Sequence, residues 1–176
     1  MGIISQLKQY FPWLQSVCLT GSRTLPWIQD PHDNDLVLYV DGIDKLLAEE
    51  ILAQKEENDC IRFCDINTVN LVRIYSYQYH FLQPLLGTNI PHYDIFEHVE
   101  EQKREMLRYV DRGILEKSPK RWYHILTTIY MLDNGKYELT DEQIKNVNLC
   151  HDYKMTEELY TYIQGRLEEY KDELGI

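Results

Sequence analysis

The sequence predicts an α+β chain, a small mixed β-sheet domain over residues 1–87 followed by an all-helical domain over residues 92–176. Three observations predict it. Two short apolar, β-rich runs, around Val17 and Leu19 and over residues 36–40, flank an irregular loop. A turn-rich stretch, Gly87-Thr88-Asn89-Ile90-Pro91-His92, then interrupts the chain. Beyond it, apolar residues recur almost wholly at helical spacing.

Composition narrows the function classes. A chain of 176 residues that is 44% hydrophobic can bury one good core or two small ones. Lys and Arg total 18 against 29 Asp and Glu, for a net charge of −11. A surface of that sign repels phosphate backbones, so broad, sequence-independent nucleic-acid binding is not expected. No apolar run approaches ~18 residues, which argues against a membrane span. The N-terminus lacks the basic start and long apolar core of a signal peptide, so a cytoplasmic location is expected. Cys18, Cys60, Cys64 and Cys150 form no Cys-x-x-Cys pair and read as reduced thiols. The six histidines are scattered, and His92 and His98 do not share helical spacing, so no zinc signature is present.

In chain order, residues 2–11 read as a short amphipathic helix with Ile4, Leu7 and Phe11 on one side. The first strand stops at Gly21-Ser22, and the second starts directly on Asp33-Asn34-Asp35. Asp44 is the N-cap of a helix over 44–57 whose buried stripe is Leu46, Leu47, Ala48 and Ile51. Residues 60–66 alternate as a third strand. Residues 68–86 read as an apolar, aromatic helix, with Leu71, Ile74, Tyr75, Gln78 and Leu82 on one face and Pro84 and Gly87 as stops. The helical half begins with residues 94–112, carrying Ile95, Val99, Met106, Leu107 and Val110 and stopped by Gly113. Ser118-Pro119 opens the next helix, and Gly135 closes it. Its core face is Trp122, Ile125, Leu126, Ile129 and Leu132. Thr140 and Gln143 form a capping box for a short helix over 141–147. Thr156 opens the last helix, with Leu159, Ile163, Leu167, Tyr170 and Leu174 in its stripe.

The chemistry concentrates between the first two strands. Asp33 and Asp35 are two apart, so on an extended backbone both side chains leave the same face. Two neighbouring carboxylates are costly unless cations neutralise them, and an oxygen-only donor set points to Mg²⁺ or a similar hard ion. Gly21 lets the backbone approach a ligand closely, and Ser22 offers a hydroxyl and an N–H. A phosphate chain bound there would be bridged by metals at Asp33 and Asp35, which suits metal-assisted phosphoryl or nucleotidyl transfer. Alone, a Gly-Ser is usually a turn and Asp-x-Asp a solvated loop. On consecutive strands the two together point to a site.

The pattern Gly21-Ser22-Arg23 followed by His32-Asp33-Asn34-Asp35 and an apolar strand resembles the DNA polymerase β-like nucleotidyltransferase superfamily. In particular it is similar to the stand-alone predicted nucleotidyltransferases of bacteria and phages. The chain departs from them where Pro26 replaces a second glycine and His32 replaces a serine. The resemblance implies transfer of a nucleoside monophosphate from a triphosphate such as ATP to a hydroxyl acceptor, with release of pyrophosphate. It implies two Mg²⁺ ions, with Mn²⁺ as a substitute, held at Asp33, Asp35 and a third carboxylate on a neighbouring strand. Asp65, six residues before Leu71-Val72-Arg73, fits the third position, with Asp59 as its rival and a capping role as the plain alternative. Gly21, Ser22 and Arg23 would bind the nucleotide. Lys120 and His124, four apart on one helical face, match a Lys-x-x-x-His helix of the family, followed by Gly135 and Ile144-Lys145. A lysine in reach would offset triphosphate charge; otherwise Lys120 is solvated and His124 a satisfied core histidine. The acceptor is open between a small molecule, a protein side chain and an RNA end. Two further classes compete: a non-catalytic nucleotide-binding relative, and an antitoxin-type nucleotidyltransferase that modifies a partner protein.

Overall fold

The computed structural model describes residues 14–29, 31, 33–42, 49, 53, 59–111 and 121–176. The helix expected over 2–11 lies outside these residues, and so does nearly all of the helix expected over 44–57. Of the latter, one helical hydrogen bond is described, from the Ala53 N–H to the Glu49 carbonyl at 3.0 Å. The chain divides into two compact units, Met1–Leu71 with Gln78–His92, and Val72–Tyr77 with Tyr93–Ile176.

The first unit is built on a four-stranded mixed sheet. Its strands are β1 (Leu14–Thr20), β2 (Asn34–Val40), β3 (Asp59–Asp65) and β4 (Gln83–Leu86), in the order β3-β2-β1-β4. β1 runs antiparallel to β2 and to β4, while β2 and β3 are parallel. Both faces of the centre are apolar, which explains why β2 reads as a continuous hydrophobic run. Val17, Leu36 and Leu38 pack on one face with Ile61, Phe63 and Leu86. Cys18, Val37 and Tyr39 pack on the other with Cys64, Ile66 and Leu82.

β4 corrects an expectation. Residues 68–86 do not form the expected helix; they hold a 3₁₀ segment, Ser76–Phe81, and then β4. The run is rich in β-branched and aromatic residues, which lose side-chain freedom in a helix, and the edge of β1 offers its backbone a partner. Pro84 is tolerated there because β4 is an edge strand, where a missing N–H costs nothing in the ladder. The chain then turns back at Gly87 (φ +71°), where an added Cβ would stand 2.2 Å from the Gln15 carbonyl oxygen. The expected linker over 87–92 is tied to β1. The buried Ser16 hydroxyl donates to the Asn89 carbonyl at 2.8 Å, and the Asn89 amide donates to Gln15 Oε1 at 3.0 Å.

The second unit contains four described α-helices: α1 (Val99–Asp111), α2 (Trp122–Asn134), α3 (Asp141–His151) and α4 (Glu157–Leu174). α1 starts later than the periodicity suggests, because the Asp94 carboxylate accepts from the Phe96 N–H at 2.9 Å and caps a separate 3₁₀ turn, Ile95–Glu97. α2 ends at Gly135 in the left-handed conformation (φ 67°), as the sequence predicts. The Thr140–Gln143 capping box is formed. α3 runs one turn past residue 147, since Val147 and Cys150 both fall on its buried side. Ile125, Leu126 and Ile129 of α2, with Ile163, Leu167 and Tyr170 of α4, are buried in this unit as their spacing predicts. Polar clasps join the helices: Asn146 to the Tyr130 hydroxyl at 3.0 Å, Lys103 to Glu173 at 2.5 Å, and Arg166 to Asp133. Among the described residues, no helix is long and apolar enough to cross a membrane.

The thiols provide a direct test of this packing. Burial pushes the Cys18 thiol up to about 11 and the Cys150 thiol up to about 12, whereas Cys60 is exposed on β3. Thiolate is the reactive form. At mildly alkaline pH, Ellman's reagent should therefore label Cys60 first and reach Cys18 and Cys150 only on unfolding. Rapid labelling of Cys18 in the native protein would contradict its burial in the centre of the sheet.

Candidate functional site

The pairing of β1 with β2 builds the site. Thr20, the last residue of β1, stands opposite Asp35, and the chain continues from it into a one-turn 3₁₀ helix, Gly21–Thr24. The Gly-Ser turn is thereby delivered to the acidic end of β2. Gly21 has φ +75°, and a Cβ on it would lie 2.0 Å from Asp35 Oδ2 and 2.8 Å from its Cγ. Only glycine fits there, on both counts. The Asp35 carboxylate thus lies directly against the backbone of the turn.

The turn closes on itself. The Thr24 hydroxyl donates to the Gly21 carbonyl at 2.9 Å, and the Leu25 N–H to the Ser22 carbonyl at 3.2 Å. Ser22 is half-buried, and Arg23 is exposed, with its Nε donating to the Asp33 main-chain carbonyl at 3.3 Å. The following loop is anchored by buried Leu25, Trp27 and Ile28, with the Trp27 ring edge-on to Phe81 at 5.1 Å. Pro26 is exposed between these anchors. His32 lies outside the described residues. Asp33 sits at an exposed bend just before β2, and Asp35 is half-buried as its second residue.

The remaining expected site residues are placed differently. Asp65 pairs with Val40, five positions along β2 from Asp35. At about 3.3 Å per residue the two are about 16 Å apart along the sheet. By alternation Asp65 also shares the face of Leu36 and Leu38, opposite to that of Asp35. Its Oδ1 accepts from the Asn67 N–H at 2.9 Å and the Asn67 side-chain amide at 3.1 Å, so the residue caps the turn after β3. The structure does not bring Asp65 to the Asp33–Asp35 pair. Asp59 pairs with Asn34 at the same end of the sheet as Asp35, and Cys60 pairs with Asp35 itself. That neighbour, like buried Thr20 across the other ladder, was not legible in the sequence, because register depends on the whole sheet.

Lys120 lies outside the described residues. His124 belongs to the second unit, on α2, where its Nδ1 is 2.8 Å from the Tyr77 hydroxyl and its ring contacts those of Tyr75, Tyr77 and Tyr123. Among the described residues, no three His, Cys, Asp or Glu side chains are grouped to hold a metal ion. The Asp35 carboxylate lies in a cradle walled by Gly21, and with Asp33 two residues earlier in the chain the segment offers two carboxylates as donors. Its donor chemistry fits a hard divalent ion that takes its other ligands from phosphate oxygens and water. No protein-family model and no curated protein matches the chain.

The cradle yields a test. Gly21→Ala should cost about 1–2 kcal/mol in chemical denaturation, from the left-handed backbone alone. It should also push the Asp35 carboxylate away from the turn and abolish divalent-ion binding while the fold persists. Unaltered ion binding in a folded Gly21→Ala protein would remove the cradle from the argument.

Proposed function

We propose that this chain is a metal-dependent nucleotidyltransferase, transferring a nucleoside monophosphate from a nucleoside triphosphate to a hydroxyl acceptor with release of pyrophosphate. The observation that carries the reading is the Asp35 carboxylate resting against Gly21, in a turn whose next residue is Ser22. A hydroxyl and N–H groups suited to phosphate thereby adjoin a carboxylate suited to a cation. The resemblance at Gly21-Ser22-Arg23 and Asp33-Asn34-Asp35 points the same way.

In this reading Asp33 and Asp35 hold Mg²⁺, or Mn²⁺ in its place. The bound metal would lower the pKa of the attacking hydroxyl and offset charge on the departing pyrophosphate. Ser22 and the turn's N–H groups hold the triphosphate, and Arg23 offsets its charge. Lys120 and His124 join the nucleotide-binding set on the resemblance alone. The acceptor is the hydroxyl of a small molecule, a protein side chain or an RNA end, and the location is cytoplasmic. The position of Asp65 at the far end of the sheet favours a second reading, a relative that binds a nucleotide without turning it over.

Thermal denaturation with ATP, GTP, CTP and UTP, with and without Mg²⁺, tests the proposal. A triphosphate at 100 times its Kd stabilises the native state by about 2.7 kcal/mol. A shift that needs Mg²⁺ and disappears in folded Asp33→Asn and Asp35→Asn proteins is expected. No Mg²⁺-dependent shift with any triphosphate would sink the reading. Turnover assays then separate the third carboxylate. Asp65→Asn should leave both binding and turnover unchanged, since the amide oxygen preserves the turn. A loss of ~10²-fold in turnover, the scale of a positioned acid–base group, would restore Asp65 to the chemistry, and the same loss in Asp59→Asn would transfer that role to Asp59.

A further inference from the structure

Asp33 and Asp35 are held by different means. Asp35 is inside the sheet, opposite Thr20 in one ladder and Cys60 in the other, and its carboxylate is walled by Gly21. Asp33 precedes the first residue of β2, in an exposed bend that neither ladder reaches. A two-carboxylate metal site needs both oxygens at a fixed separation, so the residue outside the ladders is the weak member. The described tie to its backbone is the Arg23 side chain. From the 3₁₀ turn its Nε donates to the Asp33 carbonyl at 3.3 Å, spanning ten residues of sequence. The bond uses Nε and neither of the two Nη groups.

We propose that Arg23 is a positioning residue that latches the Asp33 bend to the Gly-Ser turn and so sets the spacing of the two carboxylates before any nucleotide arrives. This rests on the reading of Asp33 and Asp35 as a metal-holding pair, and adds a role in metal affinity that charge alone does not give. A guanidinium beside a divalent ion repels it. If Arg23 acted only as a cation for phosphates, its removal would leave metal binding to the nucleotide-free protein unchanged or make it tighter. If it acts as a latch, its removal makes that binding weaker. The two roles predict opposite signs.

The probe is Mn²⁺ alone, titrated into the full chain without nucleotide and followed by electron paramagnetic resonance. Asp35→Asn serves as the control that defines binding at this site. Arg23 is exposed, so Arg23→Ala is expected to fold, which its melting temperature checks. The latch predicts that Arg23→Ala weakens the Asp35-dependent binding by about 3- to 10-fold, the scale of one lost hydrogen bond. It also predicts that Arg23→Lys recovers part of the loss, because an ammonium can reach the same carbonyl but from the end of a longer, more flexible stem. Unchanged or tighter Mn²⁺ binding in Arg23→Ala, with Asp35-dependent binding intact in the parent protein, overturns the latch and leaves the site reading standing. Absence of any Asp35-dependent Mn²⁺ binding in the parent overturns both.

Discussion

The close approach of the Asp35 carboxylate to the Gly21 backbone is the constraint on which the candidate site depends. It follows from one antiparallel pairing, Thr20 opposite Asp35, and from a backbone conformation open to glycine alone. A slip of that ladder by one residue would turn Asp35 to the opposite face and bring Asn34 to the turn. The apolar residues on the two faces of β2 resist such a slip, since Leu36 and Leu38 would exchange sides with Val37 and Tyr39. The core and the site therefore fix the same register, and the hydrophobic pattern of β2 serves both.

What was legible in the sequence was local. The turn at Gly21-Ser22, the strand behind Asp33-Asn34-Asp35, the capping box at Thr140 and the glycine stop at Gly135 all depend on contacts within a few residues. What was not legible was tertiary. Residues 83–86 pair as a strand because β1 has an edge to offer, and no periodicity in that stretch records the offer. Asp65 has the apolar flanks of a strand carboxylate, yet its partner along β2 is Val40, a pairing set by where the parallel ladder begins. Its Asx-type turn with Asn67 fits the Asp-Ile-Asn sequence, a signal open to a closer reading.

His124 shows how a shared spacing can serve packing. Four residues after Lys120, its imidazole lies among Tyr75, Tyr77 and Tyr123, with the Tyr77 hydroxyl at hydrogen-bond distance. Tyr77 is fully buried, so its phenol requires a polar partner and the ring nitrogen provides one. The Thr128 hydroxyl, one turn further along α2, reaches the Ile74 carbonyl at 3.1 Å and ties down the same segment.

That segment, Val72–Tyr77, gives the chain an unusual economy. The path passes from the first unit to the second after Leu71, returns at Gln78, and leaves again after His92. Six residues inside the N-terminal half thus furnish the helical unit with the partners of His124 and Thr128. A gene cut at the Gly87 turn would strip the helices of a strip of their own interior and leave a tyrosine-rich tongue on the sheet. Neither unit is a continuous stretch of sequence, so a single cut in the chain cannot separate one from the other.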